Sequence, residues 1–503
     1  MPVLSTVLNP FEDSQAVFTS PHAESFQPAG LPHPNPSKSF WIDSSPDANP
    51  LAREGSEGAL TSDADVCIIG SGMTGVSAAY ALSKQTPGLK VVILEARNFC
   101  QSGRNGGHLT PALVEGFMST QEKYGTEQTL KSYALENYTA TEIVKVIHEH
   151  GLEEAVDLVE GGHISLLITA KEVEIAKAEI AAAEKAGQDL SAVTWIDAEE
   201  MEKAYGASYP GIRIPAYNLW PLKFVTQLYH LASKNLNLTL HTRTPVNAIT
   251  PLSKEYSNES HRRWSVSTPR GAVACKYVLH ATNAYASHLL PHLAGPAGIV
   301  PARGQVAALR AAVPLEELTT VSWDGNEGFE YWFPRPVRGK DTTNATSSSS
   351  ITSSSNTTSP SNPTHPLVIV GGGREAAAPT YETGIEDDSV TNPSVSRVLH
   401  DFLPEVFPGK YERGREFEME WTGIMGFTRL GVPFVSKAST DAETFKGQYI
   451  SAGYTGHGMP KAYACAEAAA SMIVADIKNE TWKQPAWLPD RYLTWKRDGL
   501  TGL

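Results

Sequence analysis

Polar residues dominate the first sixty positions without a sustained period, and the pattern changes at Asp65. Val66, Cys67, Ile68 and Ile69 form an uninterrupted apolar run, which predicts a strand buried on both faces, as in a parallel sheet. A glycine turn follows, and the apolar spacing from Val76 to Lys84 predicts a helix. Pro87-Gly88 then breaks the chain before a second buried strand, Val91 to Leu94. A strand–helix–strand unit of about 30 residues has the size of a parallel crossover. Further on, residues 172–186 predict a helix that Gly187 would end. Residues 222–235 predict another, leading into a strand from Leu238 to His241, and Trp264-Ser265-Val266 and Tyr277-Val278-Leu279 also read as strands. Together these patterns predict a mixed α/β protein.

Two stretches carry no such pattern. Residues 1–60 are rich in Pro, Ser and acidic residues and read as an irregular arm that Phe40-Trp41 could pin to the body. In residues 341–366, 16 of 26 positions are Ser or Thr, a composition that buries no core and predicts disorder. That stretch lies between two strand-like runs, Phe329 to Phe333 and Leu367 to Val370. The reading is a hairpin with a solvent-exposed insertion at its tip, which is cheap because loop closure entropy grows slowly with length. Passive expansion and a phosphorylation or partner-binding role both stay open.

With 503 residues the chain fits two or three domain-sized units. A formal charge of −14 argues against nucleic acid as a partner. Cys67, Cys100, Cys275 and Cys465 form no CxxC pair, so a cysteine-based zinc site is excluded, no metal is expected, and a reducing compartment fits. The N-terminus lacks the basic start and apolar run of a secretory signal. The most apolar stretch, Ala466 to Ile477, is broken by Glu467 and Asp476, so membrane insertion is not expected. Thr501-Gly502-Leu503 is no peroxisomal address. A cytoplasmic protein is expected, and Asn137 and Asn344 are then chance glycosylation matches.

The strongest motif is Gly70-Ser71-Gly72-Met73-Thr74-Gly75, placed after a buried strand and opening a helix. The missing Cβ permits a tight turn at Gly70, backbone approach to a pyrophosphate at Gly72, and close helix–sheet packing at Gly75. The helix N-terminus offers N–H groups and partial positive charge to phosphates. Glu95 lies 20 residues after Gly75 at the end of the second strand, followed by Ala96 and Arg97. A carboxylate there accepts from both ribose hydroxyls and repels the extra phosphate of NADP. Strand, turn, helix and acid agree on dinucleotide binding.

Between FAD and NAD, the next residues discriminate. Ser102-Gly103-Arg104-Asn105-Gly106-Gly107-His108 is a glycine-rich polar segment that lets backbone run against an extended cofactor. Gly456-His457-Gly458-Met459 precedes an alanine-rich helix from about Lys461. The positive end of that helix can face the flavin N1/C2 region, where negative charge collects on reduction.

These motifs resemble FAD-dependent oxidoreductases of the D-amino-acid oxidase/glycine oxidase family, and most closely its γ-glutamylputrescine oxidase-like branch, where an SGRNGG segment lies beside the flavin. Val246 resembles the strand whose backbone contacts adenine, and Ala281-Thr282-Asn283 the turn that supports the cofactor. Pro301 to Gln305 resembles the crossing into the substrate sheet. Trp421-Thr422-Gly423 and Gly453 to Met459 resemble the C-terminal flavin-binding segments. The resemblance spans about residues 65–480. It implies a discontinuous Rossmann-type FAD-binding domain (61–125, 211–299, 421–485), an interleaved α+β substrate domain on a mixed sheet (126–210, 300–420), and a C-terminal tail (486–503).

Some relatives bind FAD covalently, through a Cys where this chain has Ile424 to Phe427, or a His where Asn105 falls; non-covalent FAD is therefore expected. The oxygen-activating Lys of sarcosine oxidase-like relatives has no counterpart among Val368, Ile369 and Val370, so the acceptor, oxygen or another, is open. The chemistry implied is hydride transfer from an amine or amino acid to flavin N5, followed by imine hydrolysis. Strand alternation places Tyr331 and Phe333 on one face and Trp332 on the other, so Tyr331 either orients substrate or belongs to the core. Arg303 and Arg335 either clamp a substrate carboxylate or sit in structural ion pairs. His108 and His457 are expected to touch the flavin as hydrogen-bond donors rather than bases. An amine dehydrogenase with a quinone or protein acceptor, and an FAD-retaining assembly or trafficking protein, are the competing readings. Oligomeric state is not readable.

Overall fold

The computed structural model describes residues 27–112, 114–337, 365–441 and 443–497. The expected disordered insertion, apart from its last two residues, and the first 26 residues of the N-terminal arm lie outside the described residues.

Two eight-stranded sheets organise the chain. The first has a parallel centre in the order Gln448–Ala452, Gly271–His280, Asp63–Ile69, Lys90–Leu94 and Asn237–His241. Alternation along Asp63–Ile69 explains its unbroken apolar run. Val66 and Ile68 enter a core with the helices Met73–Gln85, Thr126–Glu149, Pro221–Ser233 and Met459–Lys478. Cys67 and Ile69 enter a second core with Trp264, Val266 and Val273, supplied by the antiparallel strands Ala248–Pro251, Trp264–Thr268 and Gly271–His280. Both faces are therefore covered, which is what a strand without polar alternation requires.

The second sheet runs Met419–Phe427, Val300–Arg310, Leu367–Gly371, Glu330–Pro334, Ser322–Gly325, His163–Leu166, Gly211–Ile214, Thr194–Ile196. It is mixed: Ser322–Gly325 and His163–Leu166 pair parallel, and the other neighbours antiparallel. Glu330–Pro334 and Leu367–Gly371 pair antiparallel, as the two strand-like runs predict. Trp332, Val368 and Val370 face the helix Pro393–Val406, in the core that holds Leu399 and Leu403. Phe333 and Ile369 face the first core instead. The fold is α/β with mixed sheets, as the periodicity predicts. Among the described residues no helix is long and apolar enough to cross a membrane.

Gly211–Ile214 and Met419–Phe427 are strands of the second sheet. Thr126–Glu149 buries Leu135, Ile143 and Ile147 in the first core. The arm is integral over its described part: Trp41 is 1% exposed, its indole N–H donates to the Asn105 carbonyl (2.7 Å), and Ser39 Oγ donates to the Gly103 carbonyl. The described part of the tail packs too, with Leu488, Tyr492 and Leu493 buried. Local polarity hid these contacts, because one or two buried aromatics among Pro and Ser carry no period.

Candidate active site

A cavity of about 640 Å³ runs between the two sheets, from Glu95 and Gly72 to His108, Tyr331 and His457. Its first wall is the glycine turn. Gly70 has φ +104°, and a Cβ there would lie 2.6 Å from the Ala281 carbonyl oxygen. A Cβ at Gly75 would lie 1.9 Å from the Gly70 carbonyl oxygen, so the helix Met73–Gln85 packs against its own turn. A Cβ at Gly72 would meet Ser102 Oγ at 2.9 Å, and that hydroxyl accepts from the Met73 amide. Glu95 Oε2 accepts from the Ser71 amide (3.0 Å) and hydroxyl (2.8 Å), and Oε1 accepts from the Arg97 amide. These bonds fix the buried carboxylate on the cavity wall. Ser71 and Gly75 therefore shape the wall, whereas Gly70, Gly72, Met73, Thr74, Glu95, Ala96 and Arg97 line it.

The 102–108 segment forms the next wall. Arg104 Nε donates to the Thr422 carbonyl (2.8 Å) and Nη2 to the Ser37 carbonyl (2.7 Å). The segment is thereby tied to the second sheet and the arm. Asn105 Oδ1 accepts from the Gly107 amide. Gly103 faces Ile42 and Leu222 instead of the cavity. The short strand His108–Leu109 pairs with Tyr217–Asn218. The His108 ring stands edge-on to Tyr331 and Phe333, and burial pushes its pKa down to about 3. The backbone of Trp332 and Gly106 lies beside the ring and opposes that shift.

Thr282 and Ala281 line the cavity, as does Val246, which is buried in the loop after Asn237–His241 rather than in the strand expected for it. Gly423 also lines it, but Trp421 stands behind, its indole N–H donating to the Arg104 carbonyl.

Gly456, His457, Gly458 and Met459 line the far end, where the helix Met459–Lys478 begins. Sequence reasoning missed what holds them. Glu136 Oε2 accepts from the Ala112 amide (2.7 Å) and pairs with His457 Nε2 (3.0 Å), while Oε1 pairs with Lys461 Nζ (3.3 Å). Burial alone would raise the Glu136 pKa, but the charges of His457 and Lys461 hold it at about 2. On its own helix Glu136 looks like any polar position, and no local signal marks it.

Tyr331 faces the cavity, and burial pushes its phenol up to about 12. Both arginines singled out beside it are corrections. Arg303 Nε pairs with Glu382 Oε2 at 2.5 Å, and Arg335 Nη2 with Asp157 Oδ2 at 3.0 Å, with its guanidinium over Phe40 and Trp220. Neither lines the cavity, and each already has a buried carboxylate partner. Arg374 lines it instead, stacked 4.9 Å from the Phe427 ring centroid, with Nη1 donating to the Tyr381 carbonyl. It follows Gly372-Gly373 just beyond the strand Leu367–Gly371, a turn that would have flagged it. Glu115, Asp324, Arg491 and Tyr492 also line the cavity and were not foreseen.

An elongated polar ligand suits these walls. Buried atoms beside the cavity, Thr110 Oγ1, Thr282 Oγ1 and Tyr285 OH, have no hydrogen-bond partner among the described residues, and unpaired buried polar groups are costly. A Rossmann-type turn, a buried acid at the next strand end and a glycine-rich wall thus border one cavity. The family model for FAD dependent oxidoreductases (DAO) matches residues 65–472, and the chain belongs to that family. Its cofactor is FAD.

Among curated proteins none matches the chain. Of solved structures, glycine oxidase from Geobacillus kaustophilus is similar at 19% identity and TM-score 0.60, covering 86% of this chain and 99% of its own. L-Proline dehydrogenase from P. horikoshii gives 16%, 0.61, 88% and 99%. Iminodiacetate oxidase from Chelativorans sp. BNC1 gives 15%, 0.58, 85% and 98%. These likenesses establish the shared fold.

Proposed function

We propose that this chain oxidises a C–N bond of an amine or amino acid. The observation that carries this reading is the single cavity joining the Glu95 end to the Tyr331 end. Gly70 to Thr74 would hold the FAD diphosphate, Glu95 the ribose, and residues 102–108 with 456–459 the ring system, without a covalent bond. When bound, FAD supplies the hydride acceptor.

The protein's part is position rather than proton transfer. His108 is neutral at pH 7 because burial depresses it. Tyr331 stays protonated because burial raises it. His457 has Nε2 occupied by Glu136. Neither His108 nor Tyr331 is poised as a general base, and a desolvated, aromatic-lined site would favour the neutral substrate amine, its proton passing to water. Tyr331 can donate to the substrate, and Arg374 can take a carboxylate. Lys461 and the N-terminus of its helix place positive potential at the ring end of the site.

The finer placement in the γ-glutamylputrescine oxidase-like branch, with a small-molecule amine substrate, rests on the SGRNGGH segment; oxygen is the acceptor this reading favours, and the four free cysteines fit a cytoplasmic location. A dehydrogenase is the second reading, favoured by the likeness to L-proline dehydrogenase. Anaerobic bleaching of the flavin by an amine and amino acid panel tests the first step. Peroxide on admitting air then separates oxidase from dehydrogenase. No bleaching by any amine favours a protein that retains FAD without turnover.

A further inference from the structure

The segment after the last long helix returns to the cavity and brings an arginine with it. Its short turn Asp490–Tyr492 docks on the helix Thr126–Glu149. The Asp490 amide donates to Gln128 Oε1 (2.8 Å), and Arg491 Nη1 donates to the Gln128 carbonyl (3.2 Å). Arg491 is only 4% exposed and lines the cavity together with Tyr124 and Tyr492. Its guanidinium lies 4.5 Å from the Tyr124 ring centroid and 5.9 Å from that of Tyr492. Among the described residues its buried Nε has no hydrogen-bond partner, and the guanidinium has no ion pair.

Neighbouring acids do not supply the counter-charge. Glu136, on the docking helix, is shared by His457 and Lys461. Asp490, next in the chain, pairs with Lys496 Nζ (2.9 Å) and accepts from Gln484 Nε2 (2.8 Å). The Tyr124 hydroxyl, on the ring that carries the guanidinium, is likewise buried without a hydrogen-bond partner among the described residues. Two donors thus stand unused at one end of the cavity, one of them charged. A buried charge without a partner is costly, and a carboxylate matches the fork of N–H groups that a guanidinium presents. A ligand that brings its own negative charge removes that cost.

We propose that Arg491 receives a substrate carboxylate remote from the nitrogen that is oxidised, so that the chain prefers amines carrying such an acid, among them acidic amino acids and ω-amino acids. The proposal rests on the amine-oxidation reading and names the substrate class for that site. Arg374 stands on a different wall: it follows the strand Leu367–Gly371 of the second sheet and stacks on Phe427, whereas Arg491 comes from the tail against a helix of the first core. A remote acid at Arg491 therefore does not compete for Arg374.

The test compares glutamate with glutamine, and ω-amino acids with n-alkylamines of equal length, by anaerobic flavin reduction in the FAD-loaded protein. The acids are expected to reduce the flavin with the higher second-order rate constant. Arg491→Met is expected to lower the acid-to-neutral ratio about tenfold or more, as loss of a buried charge partner does. Should that variant not fold, Arg491→Gln, which keeps an amide for the Gln128 carbonyl, makes the same comparison. Equal rates for acid and neutral partner in the wild type overturn the proposal, and so does an unchanged ratio in the variant. Loss of FAD from the variant with the ratio intact also overturns it, because Arg491 then serves the cofactor. Should no amine reduce the flavin, the amine-oxidation reading fails separately. The same pairs are then titrated onto the oxidised protein by calorimetry: tighter binding of the acids that requires Arg491 sustains the site, and equal binding overturns it.

Discussion

The ring of Tyr331 occupies the place where Gly106 would carry a side chain: a Cβ at residue 106 would lie 2.3 Å from Tyr331 Cε2. On its other side a Cβ at Gly371 would lie 2.4 Å from the Tyr331 hydroxyl oxygen. Two glycines from distant parts of the chain thus clamp one cavity tyrosine. Gly106→Ala must push the ring or the 102–108 segment aside, and is expected to destabilise the protein by about 2 kcal/mol and to lower its FAD content. Denaturation midpoints and the ratio of flavin to protein absorbance measure both. Wild-type stability with full FAD occupancy would show that the contact does not constrain the site.

Tyr331→Phe keeps the ring and removes only the hydroxyl. FAD content should stay at the wild-type level while kcat/KM falls about tenfold, the scale of one lost hydrogen bond. Unchanged kinetics would reduce Tyr331 to packing.

Glu136 holds both His457 and Lys461 with one buried carboxylate. Glu136→Gln leaves Lys461 buried without its counter-charge, which is expected to destabilise the fold by about 3 kcal/mol. It also frees His457, so the flavin absorbance band should shift. A wild-type melting curve and spectrum would rule out the anchoring role.

The three arginines separate by location. Arg374→Met should raise KM for amino acid substrates while leaving amines without a carboxylate less affected. Arg335→Met should instead lower stability, because Asp157 loses the Arg335 guanidinium and keeps Lys223. Steady-state kinetics on paired substrates, together with melting curves, distinguish the outcomes. A KM effect from Arg335 and none from Arg374 would reverse the assignment.

Glu115 gives a pH signature of known sign. Its folded pKa, about 8, stands above the model-peptide value of 4.5. The folded protein therefore holds a proton that the unfolded chain releases, and stability falls as pH rises through that window. In thermal melts of the protein without substrate, Glu115→Gln should flatten this fall and melt higher near pH 8. Parallel pH profiles for the two proteins would mean that Glu115 ionises normally.

Local pattern was enough for the Gly70-to-Glu95 wall of the cavity. An unbroken apolar run demands cover on both faces, three glycines at fixed offsets permit one turn, and an acid at the next strand end stands beside it; Gly70, Gly72 and Glu95 follow from those rules without tertiary information. The 102–108 and 456–459 segments were likewise legible, since glycine density reports close backbone approach. Tertiary packing alone decided the rest. Arg303 and Arg335 look like carboxylate clamps until Glu382 and Asp157, each more than 70 positions away, take their charge. Arg374, Glu136, Glu115 and Asp324 look like ordinary polar residues until folding brings them to one void. A backbone conformation is set by neighbours in sequence, whereas a side chain's charge balance is set by neighbours in space, and only the folded chain supplies those.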